Sequence, residues 1–203
     1  MALTVNQAHL FGISFFKGAA DYATAEEVRM ANNVQSIISG NYRWHWLLTA
    51  GTNVAISSGT QDYSIAAADQ NTVGAIAEAN LLSGSTQLPN LLIWGAPALP
   101  KSSTTGQPIA VGLLSATQIR LWPVPGATYT FQWRFYARPV VFTANSQNWQ
   151  CPDSFNNTVK SGMKWQLLEW GDDLRAPAAK IEFYESLAKL EDTEKTTMER
   201  QRN

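Results

Sequence analysis

The side chains that could do chemistry are few and widely spaced: His9, His45, Cys151 and the adjacent pair Asp172-Asp173. A zinc site needs ligands at a recognised spacing, and neither a C-x-x-C-type run nor an H-E-x-x-H helix occurs. No G-x-S-x-G elbow, Walker A loop or G-x-G-x-x-G fingerprint is present. Cys151 precedes Pro152, with no neighbouring His or Lys to activate its thiol. Paired carboxylates can serve a glycosidase as acid and base. Adjacent residues on a helix point apart, however, so Asp172-Asp173 reads as a helix–helix junction, with Asp173 near the positive end of the second helix. His45, between Trp44 and Trp46, reads as a partly buried packing residue. His9 falls in an irregular start with no identifiable partner. The expectation is a protein that is not an enzyme, with no catalytic residue, no cofactor and no metal.

The eight tryptophans offer a different chemistry, since indole faces stack on sugars. Trp94, Trp122 and Trp149 stand where a carbohydrate-binding β-sandwich would place such a platform. The competing reading puts the aromatics, Trp44, Trp46, Trp122, Trp133 and Trp165 among them, in a core or a subunit interface, where Trp and Tyr are enriched. Stacking on nucleic acid would need a basic groove beside the rings. Between residues 44 and 150 the basic residues are only Lys101, Arg120, Arg134 and Arg138.

Composition narrows the choice. The chain has 203 residues, of which 45% are hydrophobic and 15% charged. The first figure is enough for a real core, and the second is well below the roughly 25% of ordinary soluble domains. The deficit is local: residues 44–150 hold only Asp62, Asp69, Glu78, Lys101, Arg120, Arg134 and Arg138. A free-standing monomer normally keeps more charge for solubility, whereas a subunit that covers its flanks with neighbours needs less. A net charge of −1 gives no global drive toward nucleic acid or anionic membrane. The longest apolar runs fall far short of the roughly 20 residues that span a bilayer, so no membrane is expected. One cysteine excludes an internal disulfide framework. No basic segment followed by an apolar run and a small-residue cleavage site opens the chain, so synthesis in the cytoplasm is the simplest expectation.

These residues must be positioned by helices at the ends and strands between them. Thr24-x-x-Glu27 has the form of a capping box, and Met30, Val34, Ile37 and Ile38 follow at helical spacing up to Gly40, predicting a helix over 24–39. From Tyr42 onward short segments broken by Gly, Ser, Asn and Pro read as strands, at 52–57, 61–66, 72–82, 90–95, 108–114, 117–122, 128–137 and 140–143. The clearest runs from Tyr129 to Tyr136, where Phe131, Trp133 and Phe135 alternate with Thr130, Gln132 and Arg134. After Pro152 the helical period returns. Phe155, Val159, Met163, Leu167 and Trp170 form one stripe, with Asp153 as cap and Gly171 as terminator. A second helix begins near Pro177, with Ile181, Tyr184, Leu187 and Ala188 as its apolar face. Beyond Leu190 the chain is almost wholly polar, and reads as a frayed end or as a partner-binding tail. The expected fold class is α+β: a helical domain over 1–43 and 152–203, and a β-rich insert over 44–151, antiparallel and sandwich- or barrel-like.

Several elements taken in order resemble the head-to-tail adaptor, connector or neck proteins of tailed bacteriophages, including the tail-tube-A-like proteins of short-tailed phages. They are Trp44-x-Trp46-Leu47 after the first helix, then Gly59-x-x-x-Tyr63-Ser64-Ile65 with Asp69. Ile119-Arg120-Leu121-Trp122-Pro123-Val124-Pro125 and Tyr136-Ala137-Arg138-Pro139 follow. Pro152-x-x-Phe155, Gly162, Asp172-Asp173, Arg175-Ala176 and Tyr184-Glu185 close the set, and together these cover about 24–190. Ile65-Ala66 departs from the Leu-Pro common in relatives. The resemblance implies a structural virion protein: a cyclic ring, a dodecamer in the family, seated in the virion neck after assembly in the host cytoplasm. It implies binding to the portal protein at one end and to a downstream tail or nozzle protein at the other. Double-stranded DNA would pass through the channel without sequence-specific binding. Glu191, Lys195, Glu199, Arg200 and Arg202 are then candidates for a portal-binding tail that orders on docking. The charge-poor β surface would lie at subunit contacts. The alternatives are another phage tail or capsid structural protein, or the carbohydrate-binding module.

Overall fold

The computed structural model describes residues 2–14, 24–95 and 99–202, the side chains of 198–202 excepted. The chain divides into two compact units, one of Met1–Trp46 with Pro139–Asn203 and one of Leu47–Arg138. The first is a helical bundle built by the two ends of the chain. The second is a largely antiparallel β unit, and the architecture is α+β.

The helical unit contains α1 (Val5–Ile13), α2 (Thr24–Asn41), α3 (Asn156–Trp170) and α4 (Ala176–Arg202). The expected irregular start is a helix instead. Its capping box is Thr4-x-x-Gln7, in which Thr4 Oγ1 accepts from Gln7 N at 3.1 Å and Thr4 N donates to Gln7 Oε1 at 2.9 Å. The expected box at Thr24 is not used that way, because Thr24 is already helical and Glu27 turns its carboxylate to His9 and Asn145. Glycines set the helix spacing. A Cβ on Gly162 would lie 2.7 Å from Val34 and 3.0 Å from the Phe183 ring, so α2, α3 and α4 meet at this point. At Gly12 a Cβ would lie 2.3 Å from Leu167, bringing α1 equally close to α3.

Along α3 the expected stripe is buried from Phe155 through Leu167, but Trp170 is 53% exposed. Gly171 caps the helix with φ of −87°, and the left-handed turn falls one residue later, at Asp172 with φ of 50°. The buried face of α4 is Ala176, Ala179, Phe183 and Leu187; of the expected face only Leu187 is buried, while Ile181 is 61% exposed. Two apolar stripes run along this helix, and the one rich in small alanines is the one that packs. Nor does α4 fray after Leu190: it continues to Arg202, giving 27 residues and a length of about 40 Å.

Residues 140–143 do not form the expected strand. Side-chain amides take the place of a neighbouring strand there. Asn32 Nδ2 donates to Phe142 O at 3.0 Å, while its Oδ1 accepts from Phe142 N at 2.8 Å. Gln35 donates to Val140 O at 2.8 Å, and Gln147 Oε1 accepts from Thr143 N and Ala144 N. The backbone groups are satisfied without a ladder.

The β unit comprises β1 (Leu48–Ala50), β2 (Val54–Ile56), β3 (Asp62–Ser64), β4 (Val73–Ser83), β5 (Thr86–Gln87), β6 (Leu92–Trp94), β7 (Thr105–Gly106), β8 (Ala110–Ser115), β9 (Gln118–Trp122), β10 (Val124–Pro125) and β11 (Tyr129–Ala137). One sheet runs β1-β11-β4-β5, with β2 also on β11; a second runs β3-β9-β8-β6; β7 and β10 make a short parallel pair. Apart from that pair and β6 on β8, every ladder is antiparallel. Both sheets turn apolar faces to one core, in which Phe131, Trp133 and Phe135 of β11 join Ile76 and Leu81 of β4, Val111 of β8 and Ile119 and Leu121 of β9. The alternation read from the β11 sequence is thus the alternation of its faces. The short strands β1, β5, β7 and β10 carry too few residues to show a period.

Candidate functional site

In the helical unit Glu191, Glu194 and Lys195 tie the far half of α4 to the turn that follows α2. Past Leu187 the inward positions become Leu190, Glu191 and Glu194, continuing the same helical face. Glu191 accepts from Asn41 Nδ2 at 3.3 Å and pairs with Lys195 at 2.6 Å. Lys195 Nζ stands 5.8 Å from the centre of the Tyr42 ring, and Glu194 Oε1 accepts from His45 N at 2.8 Å. Beneath this segment lies a hollow of about 170 Å³ lined by His45, Trp46, Pro152, Phe155, Glu194 and Thr197 among others. Trp46 Nε1 is buried there without a hydrogen-bond partner among the described residues. Of the five tail residues expected from the sequence, Glu191 and Lys195 meet in this cluster. The side chains of Glu199, Arg200 and Arg202 lie outside the described residues. Asn41 and Tyr42 escaped the sequence reading because only the turn after α2 brings them under α4, where Glu194 meets His45 N.

The tryptophans divide among distinct settings. Trp44 is fully buried, donates to Ile38 O, and meets Phe155 edge-on at 4.9 Å; Trp46 meets the same ring at 6.0 Å. Trp165 stacks on Phe183 at 5.6 Å, with Lys180 Nζ 5.1 Å above its ring. In the β unit Trp133 lies in the core and donates to Thr52 O at 3.0 Å, while Trp122 is half-buried on β9. The sugar platform imagined at Trp94, Trp122 and Trp149 does not form, because Trp149 is buried in the helical unit against Phe142.

The groups with chemical potential are engaged in the fold. His9, expected without a partner, sits buried in α1 with Nδ1 2.6 Å from Glu27 Oε1 on α2. Burial holds its imidazole below the ordinary value, against the opposing charge of Glu27. His45 is exposed rather than packed between its neighbours. Burial pushes the Cys151 thiol up to about 12, which keeps it from being a nucleophile at neutral pH. Asp173 does not share a site with Asp172; it grips Arg175 through N, Nε and a terminal guanidinium nitrogen, and its carboxyl is held down at about 2 chiefly by the guanidinium hydrogen bonds. In the β unit Arg120 spans β9 to β3 with a two-pronged contact to Asp62 at 2.6 and 2.8 Å, and also donates to Leu99 O. That contact lowers the Asp62 carboxyl and raises the guanidinium. Among the described residues no three or more His, Cys, Asp and Glu side chains are placed to hold a metal, and no helix is long and apolar enough to cross a membrane.

A helical bundle closed by both chain ends, with a β unit inserted between them in the sequence, defines a protein of α+β build. Residues 14–203 match the model of the SU10 adaptor protein family, and the chain belongs to that family of phage structural adaptors. No curated protein matches the chain.

Proposed function

We propose that the protein is a head-to-tail adaptor that forms a ring between the portal and the tail in the neck of a tailed bacteriophage. The observation that carries this reading is the family match over 14–203. The exposed far half of α4 supports the direction of assembly. It is a preformed helix, with Glu191 and Lys195 on it and Glu199, Arg200 and Arg202 in its last turns, so docking to a portal need not order a coil first. The opposite end of the ring receives the tail or nozzle protein, as in tail-tube-A-like adaptors. The scarcity of charge in 44–150 favours neighbouring copies against the β surface of a closed ring, with the family's dodecamer as its size. Double-stranded DNA passes through the channel without being read. Assembly takes place in the host cytoplasm.

The last fully buried apolar residues of α4 are Phe183 and Leu187, both before the cut, so removing 191–203 leaves the core intact. The truncated chain should fold, by circular dichroism and unfolding midpoint, and should no longer co-sediment with portal. Co-sedimentation equal to that of the full chain would remove the tail from the interface.

A further inference from the structure

In the β unit the exposed large hydrophobic side chains gather at one place. Among its described residues they are Leu92, Ile93, Trp94 and Ile109, each at least 42% exposed. The first three are the whole of β6, and Leu92 N donates to Ile109 O at 2.9 Å. β6 is the end strand of its sheet, in the order β3-β9-β8-β6. Its parallel register sets Leu92, Ile93 and Trp94 beside Ala110, Val111 and Gly112. With Leu92 N on Ile109 O, alternate residues of β6 face β8, so the N–H and C=O of Ile93 point away from the sheet. No hydrogen bond engages those two groups among the described residues. Open sheet edges are commonly guarded by charged side chains. The other end of this sheet has one, since β3 carries Asp62 tied to Arg120. Around β6 the chain has no charged residue from Ala79 to Pro100.

Such an edge selects its occupant by backbone chemistry. An outward N–H and C=O on one residue are matched by an extended strand, not by a helix, whose backbone groups bond internally. Apolar side chains and an absence of charge call for an apolar, uncharged strand. The chain itself holds a segment of that kind in its helical unit. Between Arg138 and Asp153 there is no charged residue, and 139–143 reads Pro-Val-Val-Phe-Thr. Gln35 and Gln150 bond the backbone of Val140, and Asn32 takes both the N–H and the C=O of Phe142. Val141 between them is 65% exposed, and its own N–H and C=O are left to solvent, without a partner among the described residues. Side-chain amides thus hold this segment by alternate residues and leave the residue between them open. Neither open edge is paired within the fold of one copy, so the partner of each is found on another. Two unlike surfaces that fit one another make a head-to-tail contact, which can close a ring, whereas β6 meeting β6 would stop at a dimer.

We infer that β6 of one copy pairs with residues 140–143 of the next, setting Ile93 against Val141 and covering Leu92, Trp94 and Ile109. This contact rests on the ring reading above and gives that ring its residues. The test combines Ile93→Cys with Val141→Cys in the full chain, in a Cys151→Ser background, under mild oxidation. Directly paired strand residues stand at the Cα separation a disulfide accepts, about 4.4–6.8 Å. The chain is oxidised both free at high concentration and mixed with portal protein, and ring formation is read separately by electron microscopy. The double variant should give a ladder of dimer, trimer and higher species on a denaturing gel, and neither single variant should. Ile93→Lys, at an exposed position, should leave the unfolding midpoint unchanged and raise the concentration for half-maximal assembly at least about tenfold. Rings on the portal without a ladder would overturn the pairing and leave the adaptor reading standing. A ladder from the free chain with no ring on the portal would uphold the pairing and remove the adaptor reading. No ladder in either sample, dimers from Ile93→Cys alone, or undiminished assembly of Ile93→Lys would overturn the assignment.

Discussion

His9 and Glu27 show how little of a side chain's role is visible from its neighbours in sequence. Neither residue carries a motif with the other, and they meet only because α1 and α2 share a core with the loop that supplies Asn145. The pair has a consequence for stability. Burial depresses the imidazole in the folded chain, whereas in the unfolded chain it titrates near its ordinary value of about 6.5. Between those two values the unfolded state binds more protons, so stability falls as the pH falls. The contribution of His9 is complete above about pH 6.5 and is lost as the pH drops through the folded-state value. Urea midpoints of the wild type should therefore decrease between about pH 7 and about pH 5, and His9→Gln should flatten that decrease. An identical decrease in the variant would show that other groups are responsible. The clearest residue-level expectations, by contrast, were the aromatics of β11, where side-chain period and backbone pleat coincide.

Elements were legible where a long apolar period faced one partner, and obscure where small residues or side-chain amides did the packing. The stripe of α3 could be read because Phe155, Val159, Met163 and Leu167 are large and regularly spaced. The packed face of α4 was missed because Ala176 and Ala179 look neutral beside Ile181 and Tyr184, which face solvent. Residues 140–143 have the composition of a strand, but no sequence pattern tells that Asn32 and Gln35, more than a hundred residues away, will supply their partners. Small residues also explain why the bundle is tight. Gly162→Ala places a methyl group against Val34 and Phe183 and should cost about 1–3 kcal/mol. Gly40→Ala, where the added carbon meets nothing within 4 Å, should instead be neutral or stabilising by up to about 1 kcal/mol. Denaturant midpoints decide this. Equal effects at the two positions would mean that α2, α3 and α4 do not approach as closely as Gly162 implies.

At the scale of the whole molecule, charge is unevenly placed. Residues 44–150, which include the β unit, carry seven charged side chains, and the rest lie toward the two ends of the chain. The ordered motifs from Trp44 to Glu185 pointed to phage adaptors, and the family match over 14–203 places the chain among them. The course of α4 was the main surprise, since polar composition after Leu190 resembles a frayed end while i,i+4 pairing such as Glu191 with Lys195 sustains a helix. In the docking proposed above, a preformed helix changes the task from ordering a coil to placing a rod. The most direct test is electron microscopy of the full chain mixed with the portal protein of the same phage. The adaptor reading predicts a new ring of density on one face of the portal, with the chain's α+β subunits repeated around the portal axis. A portal particle unchanged by saturating amounts of the chain would contradict it.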